Sequence, residues 1–282
     1  MADGDYLKGK IAIVTGASRG IGAAIAERIA TAGVEVICAA RTVDGDPEQG
    51  TANATVDRIR AQGGKAHAMK VDMTDAASRE ALIKDVIAKF GRIDILVNNA
   101  GTAIYKPTEE MPLSDVEAQT QLYFVGPWHL CHLVIPQMKK QGEGRILQIG
   151  SCVIFPPTEP FDSYIAGRGN EMLYGGLKAG IHRFTLGLAA EMHDQNIAVN
   201  VLGPVGAVLT PGLIALDMGL TPDMEICEPV EDMAEAALDM LDKPTSYTSQ
   251  FELSYNYLDK NGRSSMTLDG KDVLRAREPA HV

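Results

Sequence analysis

Tyr174 and Lys178 stand four residues apart in the run Tyr174-Gly-Gly-Leu-Lys178. On a helix, side chains at that spacing share a face. An ammonium beside a phenol favours the ionised phenol and lowers its pKa. A phenol tuned this way exchanges a proton near neutral pH. Ser151 lies upstream and offers a hydroxyl. Near the start, Gly16, Gly20 and Gly22 form a glycine-rich turn suited to a dinucleotide. Together these residues predict hydride transfer at a carbonyl carbon, with a proton moved at its oxygen.

Such residues need a frame, and the chain spells one out. Residues 11–14 are a short apolar run opening into the glycine turn. Ile21, Ala24, Ile25, Ile29 and Ala30 then follow helical spacing, and Gly33 ends the helix. Residues 34–40 read as a second strand, completing a βαβ unit. The alternation continues with helix 51–62, strand 65–71, helix 76–90 and strand 92–97. A long helix is predicted over 113–140, with Pro127 tolerated near its middle or bending it. Strand 145–149 delivers Ser151. Helix 171–193, strand 196–202, the loop-rich stretch 203–228, helix 229–241 and a last strand at 249–258 complete the reading. Apolar strands separated by helices predict an α/β fold. It is a doubly wound parallel sheet of about seven strands with helices on both faces. No linker or repeat interrupts it, so one domain over 1–282 is expected, with a polar tail at 259–282.

The composition sets limits. The chain has 282 residues, 45% of them apolar, enough for a full core. A formal charge of −11 argues against a nucleic-acid surface. Cys38, Cys131, Cys152 and Cys227 form no Cys-x-x-Cys pair, so neither zinc nor a disulfide framework is expected, and reduced thiols fit a cytoplasmic protein. The N-terminus lacks the pattern of a signal peptide. No apolar run approaches the roughly 20 residues of a membrane helix. His129, His132, His182 and His193 fall on helices without metal-ligand spacing, and Trp128 reads as packing.

The glycine turn, with Ser18, Arg19 and Ile21, would let a backbone approach a pyrophosphate at a helix N-terminus. The second strand ends at Ala40-Arg41 rather than at a carboxylate. A guanidinium there pairs with a 2′-phosphate, and Arg19 points to the same corner, so NADP(H) is favoured over NAD(H). Asp72, with Met73, ends the third strand. It is placed to meet the adenine and equally able to cap a helix.

Taken as a set, five motifs resemble the short-chain dehydrogenase/reductase family. They are Thr15-Gly-Ala-Ser-Arg-Gly-Ile-Gly22, Asn98-Asn-Ala-Gly101, Ser151, Tyr174-Gly-Gly-Leu-Lys178 and Val199-Asn-Val-Leu-Gly-Pro204. The resemblance covers residues 7–210 well and the rest loosely. It implies a Rossmann-like fold and names Tyr174 as general acid/base. It implies that Lys178 lowers that pKa and holds the nicotinamide ribose, and that Ser151 bonds the substrate oxygen. Asn99, Ala100 and Gly101 would lie along the adenosine and ribose. Pro204, Val208 and Thr210 would meet the carboxamide and phosphates. A homodimer or homotetramer through the helices of Tyr123 and Tyr174 is also implied.

A second pair, Tyr164 and Arg168, has the same spacing. Arginine is too basic to serve as a tunable partner, and Gly167 and Gly169 spoil a helix there. Residues 155–170 are therefore read as an insertion loop beside the pocket mouth. Three departures from the family pattern stand out. Tyr123 occupies the place of a relay Asn, where its hydroxyl could substitute or block. Pro204 is followed by Val205, with Gly206 one later. Asp269-Gly270 comes late, in place of the usual Asp-Gly-Gly.

The stretch 205–228 reads as a substrate lid carrying Leu213, Ile214, Leu216, Met218, Leu220, Met224 and Ile226. Adaptable apolar residues suit a greasy pocket. A small hydrophobic ketone, aldehyde or secondary alcohol is the expected substrate. The leading expectation is an NADP(H)-dependent carbonyl reductase or alcohol dehydrogenase. The alternatives are an NAD-preferring dehydrogenase, or a cofactor-binding protein with poor catalysis.

Overall fold

The computed structural model describes residues 6–156, 170–217 and 219–275. The rival pair Tyr164 and Arg168, most of the 155–170 insertion, Met218 and the last residues of the tail lie outside the described residues.

Seven strands form one parallel sheet. They are β1 (Ile11–Thr15), β2 (Glu35–Ala40), β3 (Lys65–Lys70), β4 (Ile95–Asn98), β5 (Gly144–Ile149), β6 (Ile197–Gly203) and a late strand, Phe251–Leu253. Their spatial order is β3-β2-β1-β4-β5-β6, with Phe251–Leu253 on the outer edge of β6. Every residue of β1 is buried, because helices cover both faces of the sheet. Ala12 and Val14 point to one core, shared with Ile25 and Ile29 of α1 (Gly20–Ala30) and with Met233 and Leu238. Ile11 and Ile13 point to the other, shared with Leu82, Val86, Leu130 and Leu188. The strand's twofold period thus feeds two separate apolar layers.

The chain winds outward from β1 through β2 to β3, then returns to place β4 on the other side of β1. Loops leaving the C-terminal ends of β1 and β4 therefore diverge and open a crevice between them. In open parallel sheets, ligands bind at this reversal.

Two elements differ from the sequence expectation. The helix predicted over 113–140 is three pieces: α4 (Leu113–Thr120), a π-turn (Gln121–Val125) and α5 (Gly126–Gln141). Pro127 has no N–H for the carbonyl four residues back. The Gly126 N–H reaches Gln121 O instead, closing a wider turn. The strand expected over 249–258 is only three residues long and runs directly into a helix, Ser254–Lys260. Its buried Tyr257 and Leu258 face the core helix Val230–Leu241 rather than a strand neighbour.

The polar tail continues from that helix as a small antiparallel hairpin, Ser265–Met266 with Val273–Arg275. It is fastened by charge. Glu235 accepts from Arg28 at 2.7 Å and from Arg263 at 2.9 Å, and Arg275 lies 3.5 Å from Asp232. Among the described residues, no helix is long and apolar enough to cross a membrane.

Candidate functional site

A cleft of about 610 Å³ runs along the C-terminal ends of the strands. Ala40, Arg41, Asp72 and Met73 line one end, and Ser151, Tyr174, Lys178 and the 205–228 segment line the other. Between them lie Gly16, Ser18, Arg19, Gly20, Ile21, Asn99, Ala100 and Gly101, with Pro204, Val208 and Thr210 opposite. Of the residues named from sequence for catalysis or cofactor binding, Gly22 alone does not line the cleft. It lies beneath the turn, where a Cβ would strike Asn99 and the Gly16 carbonyl. Gly16 has φ +67, and a Cβ there would stand 2.8 Å from the Ala100 Cα. Both positions need glycine for that reason.

The turn is locked from the side by Thr15, a residue the sequence reading quoted but gave no role. Its Oγ1 donates to Val97 O at 3.2 Å and accepts from the N–H groups of Asn99 at 3.0 Å and Ala100 at 3.1 Å. Its position at a strand end, just before the first glycine, was the available signal. The turn leads into the N-terminus of α1. Arg19 there makes no side-chain cap, and the first turn holds no acidic residue. Uncapped N–H groups with their partial positive charge suit an anion such as a pyrophosphate. The backbone therefore fits a dinucleotide.

At the far end, Arg41 is exposed, while Arg19 Nη1 donates to Gln49 O at 3.3 Å. The segment around Gln49 and Gly50 is thereby folded against the glycine turn, which the sequence did not announce. Asp72 Oδ1 accepts from Thr74 Oγ1 at 2.7 Å and Thr74 N at 2.8 Å. These bonds first, then Arg41 and Arg79, hold its carboxyl below the usual range. Asp72 thus organises a turn while its carboxylate still borders the cleft.

The reacting end is built on α6 (Met172–Glu191), whose one face carries Tyr174 and Lys178. Lys178 is buried, and its Nζ donates to Ile149 O at 2.6 Å. Burial pulls its pKa down to about 7. Tyr174 is half-buried, and desolvation pushes its phenol up, partly offset by a hydrogen bond with Ser151. In this geometry burial sets the direction, and the phenol sits above its ordinary value. The ammonium stands 5.6 Å from the centre of the Tyr174 ring and spends a proton on a backbone carbonyl. Ser151 is buried, and its Oγ accepts from Val153 N at 3.3 Å.

Tyr123, buried within the π-turn, meets Tyr174 edge to face at 5.1 Å. Tyr105 does the same from the segment after β4 at 5.8 Å. Nothing in the sequence pointed to Tyr105, because its approach depends on the path of an irregular loop.

The 205–228 segment is not all loop. Strands Ala207–Val208 and Cys227–Glu228 pair in parallel at its base, and Pro211–Ile214 is a short helix. Leu213, Leu216, Leu220 and Ile226 line the cleft, whereas Ile214 is exposed and does not. The base is clasped by Glu228, another residue the sequence reading missed. Its carboxylate accepts from Val205 N at 2.8 Å and from Ser254 Oγ at 2.6 Å. This bond accounts for the altered turn at Pro204-Val205-Gly206. Among the described residues, no three His, Cys, Asp or Glu side chains converge as a metal site.

Comparison with known proteins agrees with this geometry. The family profile described as short chain dehydrogenase matches residues 10–217. The 7alpha-hydroxysteroid dehydrogenase of Escherichia coli is 34% identical over 259 residues, covering 88% of this chain and 93% of that protein. Human hydroxysteroid dehydrogenase-like protein 2 is 34% identical over 277 residues, 98% of this chain, which spans 62% of that longer protein. A solved 7 alpha-hydroxysteroid dehydrogenase, complexed with NADH and 7-oxo glycochenodeoxycholic acid, has 33% identity. It superposes with a TM-score of 0.75 over 90% of this chain and 95% of that one. A 3-oxoacyl (acyl-carrier-protein) reductase from Agrobacterium tumefaciens with NADP bound gives 0.74 at 27% identity, covering 89% and 94%. The chain belongs to the short-chain dehydrogenase family and is an oxidoreductase that interconverts CH–OH and C=O groups with NAD or NADP.

Proposed function

We propose that the protein interconverts a hydrophobic, steroid-like ketone and its secondary alcohol, with NADP(H) preferred over NAD(H). The observation that carries this reading is one continuous cleft, which joins an uncapped helix N-terminus and Arg41 to Tyr174, Ser151 and an apolar lid. The nicotinamide, when bound, supplies or accepts the hydride.

The chain's own residues do the rest. Gly16, Gly20 and the first N–H groups of α1 hold the pyrophosphate. Arg41, with Arg19 beside it, takes the 2′-phosphate, and no carboxylate at the end of β2 repels it. Ser151 aims the substrate oxygen at Tyr174. Tyr174 gives its proton to that oxygen in reduction and takes it back in oxidation. A phenol kept protonated by burial suits the reductive direction at neutral pH. Lys178 supports the phenolate formed after proton loss. Leu213, Leu216, Leu220 and Ile226 cover the substrate and exclude water. The fold and site are read as one domain, working in the cytoplasm as a homodimer or homotetramer.

Assay of the purified protein with 7-oxo and 3-oxo steroids and NADPH tests the reading. NADPH consumption with an oxosteroid supports it. Turnover confined to small polar ketones, or equal use of NADH, would reject the substrate class or the cofactor preference respectively.

A further inference from the structure

We propose that Tyr123 is a positioning residue whose ring face, rather than its hydroxyl, keeps the Lys178 ammonium charged and fixed beside Tyr174. The inference rests on the roles given above to Tyr174 and Lys178.

The geometry isolates the ring. Lys178 Nζ stands 4.9 Å from the centre of the Tyr123 ring, closer than its 5.6 Å to that of Tyr174. An ammonium at such a distance is attracted by the ring quadrupole, most strongly where water is excluded. Lys178 and Tyr123 are both buried, at 5% and 6% exposure. The phenol is wedged against a backbone. A Cβ on Gly101 would fall 2.7 Å from the Tyr123 Cε1 and 2.8 Å from its oxygen. No hydrogen bond to the Tyr123 hydroxyl is found among the described residues, and burial pushes this phenol up, so it stays neutral. The contact this side chain makes with the catalytic lysine is through its ring face.

The surroundings explain why a ring is needed. Facing Lys178 are Tyr174 on its own helix and Tyr123 from the π-turn, while Tyr105 after β4 packs on Tyr174 and Ser151 and Cys152 after β5 line the same cleft. Burial holds the Tyr123 and Tyr174 phenols above their ordinary value, so both stay protonated at physiological pH. Glu171 and Glu228 are felt at Cys152, and neither perturbs Lys178. Among the described residues no carboxylate pairs with the buried cation, whose contacts are the Ile149 carbonyl and two aromatic faces. With its pKa near 7, charged and neutral forms are evenly matched, and a modest attraction decides between them. The π-turn supplies the angle. Its extra residue shifts the helix face, and such turns occur frequently at functional sites.

The test is an NMR titration of isotope-labelled lysine side chains without any nucleotide, with Lys178 assigned from the Lys178→Met variant. Tyr123→Phe should keep the Lys178 midpoint. Tyr123→Leu and Tyr123→Met should lower it by about half a unit or more. Two apolar replacements guard against one failing to fold, and thermal melting verifies each. In alcohol oxidation, the rising limb of the pH–rate profile should move to higher pH in the Leu and Met variants, because Tyr174 loses cationic support. It should stay in place in the Phe variant. A merely structural role would lower the rate without moving the limb. Loss of the midpoint in Tyr123→Phe, or no shift in Tyr123→Leu and Tyr123→Met, overturns the proposal. Failure of the wild-type protein to turn over any alcohol would instead defeat the functional reading, while the lysine titration would still decide this one.

Discussion

Asn99 is bolted to Thr15: its Nδ2 donates to the Thr15 carbonyl at 2.8 Å, while its own N–H donates to Thr15 Oγ1 at 3.0 Å. The end of β4 is thereby tied to the end of β1, at the reversal of strand order where the cleft opens. The amide also fills the space beside Gly16 and Gly22. Gly22→Ala would force a methyl against the Gly16 carbonyl, which cannot swing away as a side chain can. That variant should lose nucleotide affinity by about tenfold or more, as a displaced turn no longer offers its N–H groups. Quenching of tryptophan fluorescence or calorimetry with NADPH measures it. Wild-type affinity would show that the turn is not the nucleotide cradle.

On the proposed mechanism, Tyr174→Phe removes the proton given to the substrate oxygen and leaves the ring contacts with Tyr105 and Tyr123 in place. Turnover should fall by about 100-fold or more, with NADPH binding retained. Steady-state kinetics beside a binding isotherm separates the two effects. Retained turnover would assign the proton to another group.

Among the described residues Arg41 makes no ion pair, and its guanidinium helps to hold down the Asp72 carboxyl at the edge of the cleft. Arg41→Ala should raise the KM for NADPH by about tenfold and leave that for NADH within about twofold, because only NADPH brings a phosphate for the guanidinium fork. Equal losses for both nucleotides would place Arg41 in general folding rather than in selection.

Lys178 has its pKa lowered to about 7 by burial. Between that value and the ordinary lysine value, the unfolded chain binds a proton that the folded chain does not. Stability therefore rises with pH over this interval from this group. The raised phenol of Tyr174 acts oppositely only once unfolded tyrosine begins to ionise, near pH 10. Urea unfolding at pH 7 and pH 9 should show the wild type gaining stability relative to Lys178→Met. A parallel pH response of the two proteins would mean that Lys178 is not titrating there.

Glu228 clasps the lid base to the helix Ser254–Lys260 through Val205 N and Ser254 Oγ. Glu228→Ala leaves the buried Ser254 hydroxyl without its partner, a loss of about 1–3 kcal/mol. The KM for a bulky ketone should rise while NADPH binding changes little. Chemical denaturation and substrate kinetics measure the two effects, and an unaltered KM would confine Glu228 to stability.

The sequence by itself determined the repeating strand–helix order, the glycine turn and the Tyr174–Lys178 pairing. Each of these depends on residues close together in the chain: two-residue and 3.6-residue periods, glycines where φ is positive, and one helical turn between two side chains. Even the cleft-lining residues at distant positions were legible, because each sits at the end of a strand and parallel topology brings such ends together. What only the tertiary structure decided depends on contacts across the chain. The π-turn follows from how Pro127 and Gly126 settle against the Met73 segment. Glu228 finds Val205 23 residues away, and the tail finds α1 through Arg28 and Glu235. The phenol of Tyr174 was expected to be acidified by a lysine one turn away. Burial acts in the other direction, and burial belongs to the packed molecule, since no local spacing sets the dielectric around a side chain.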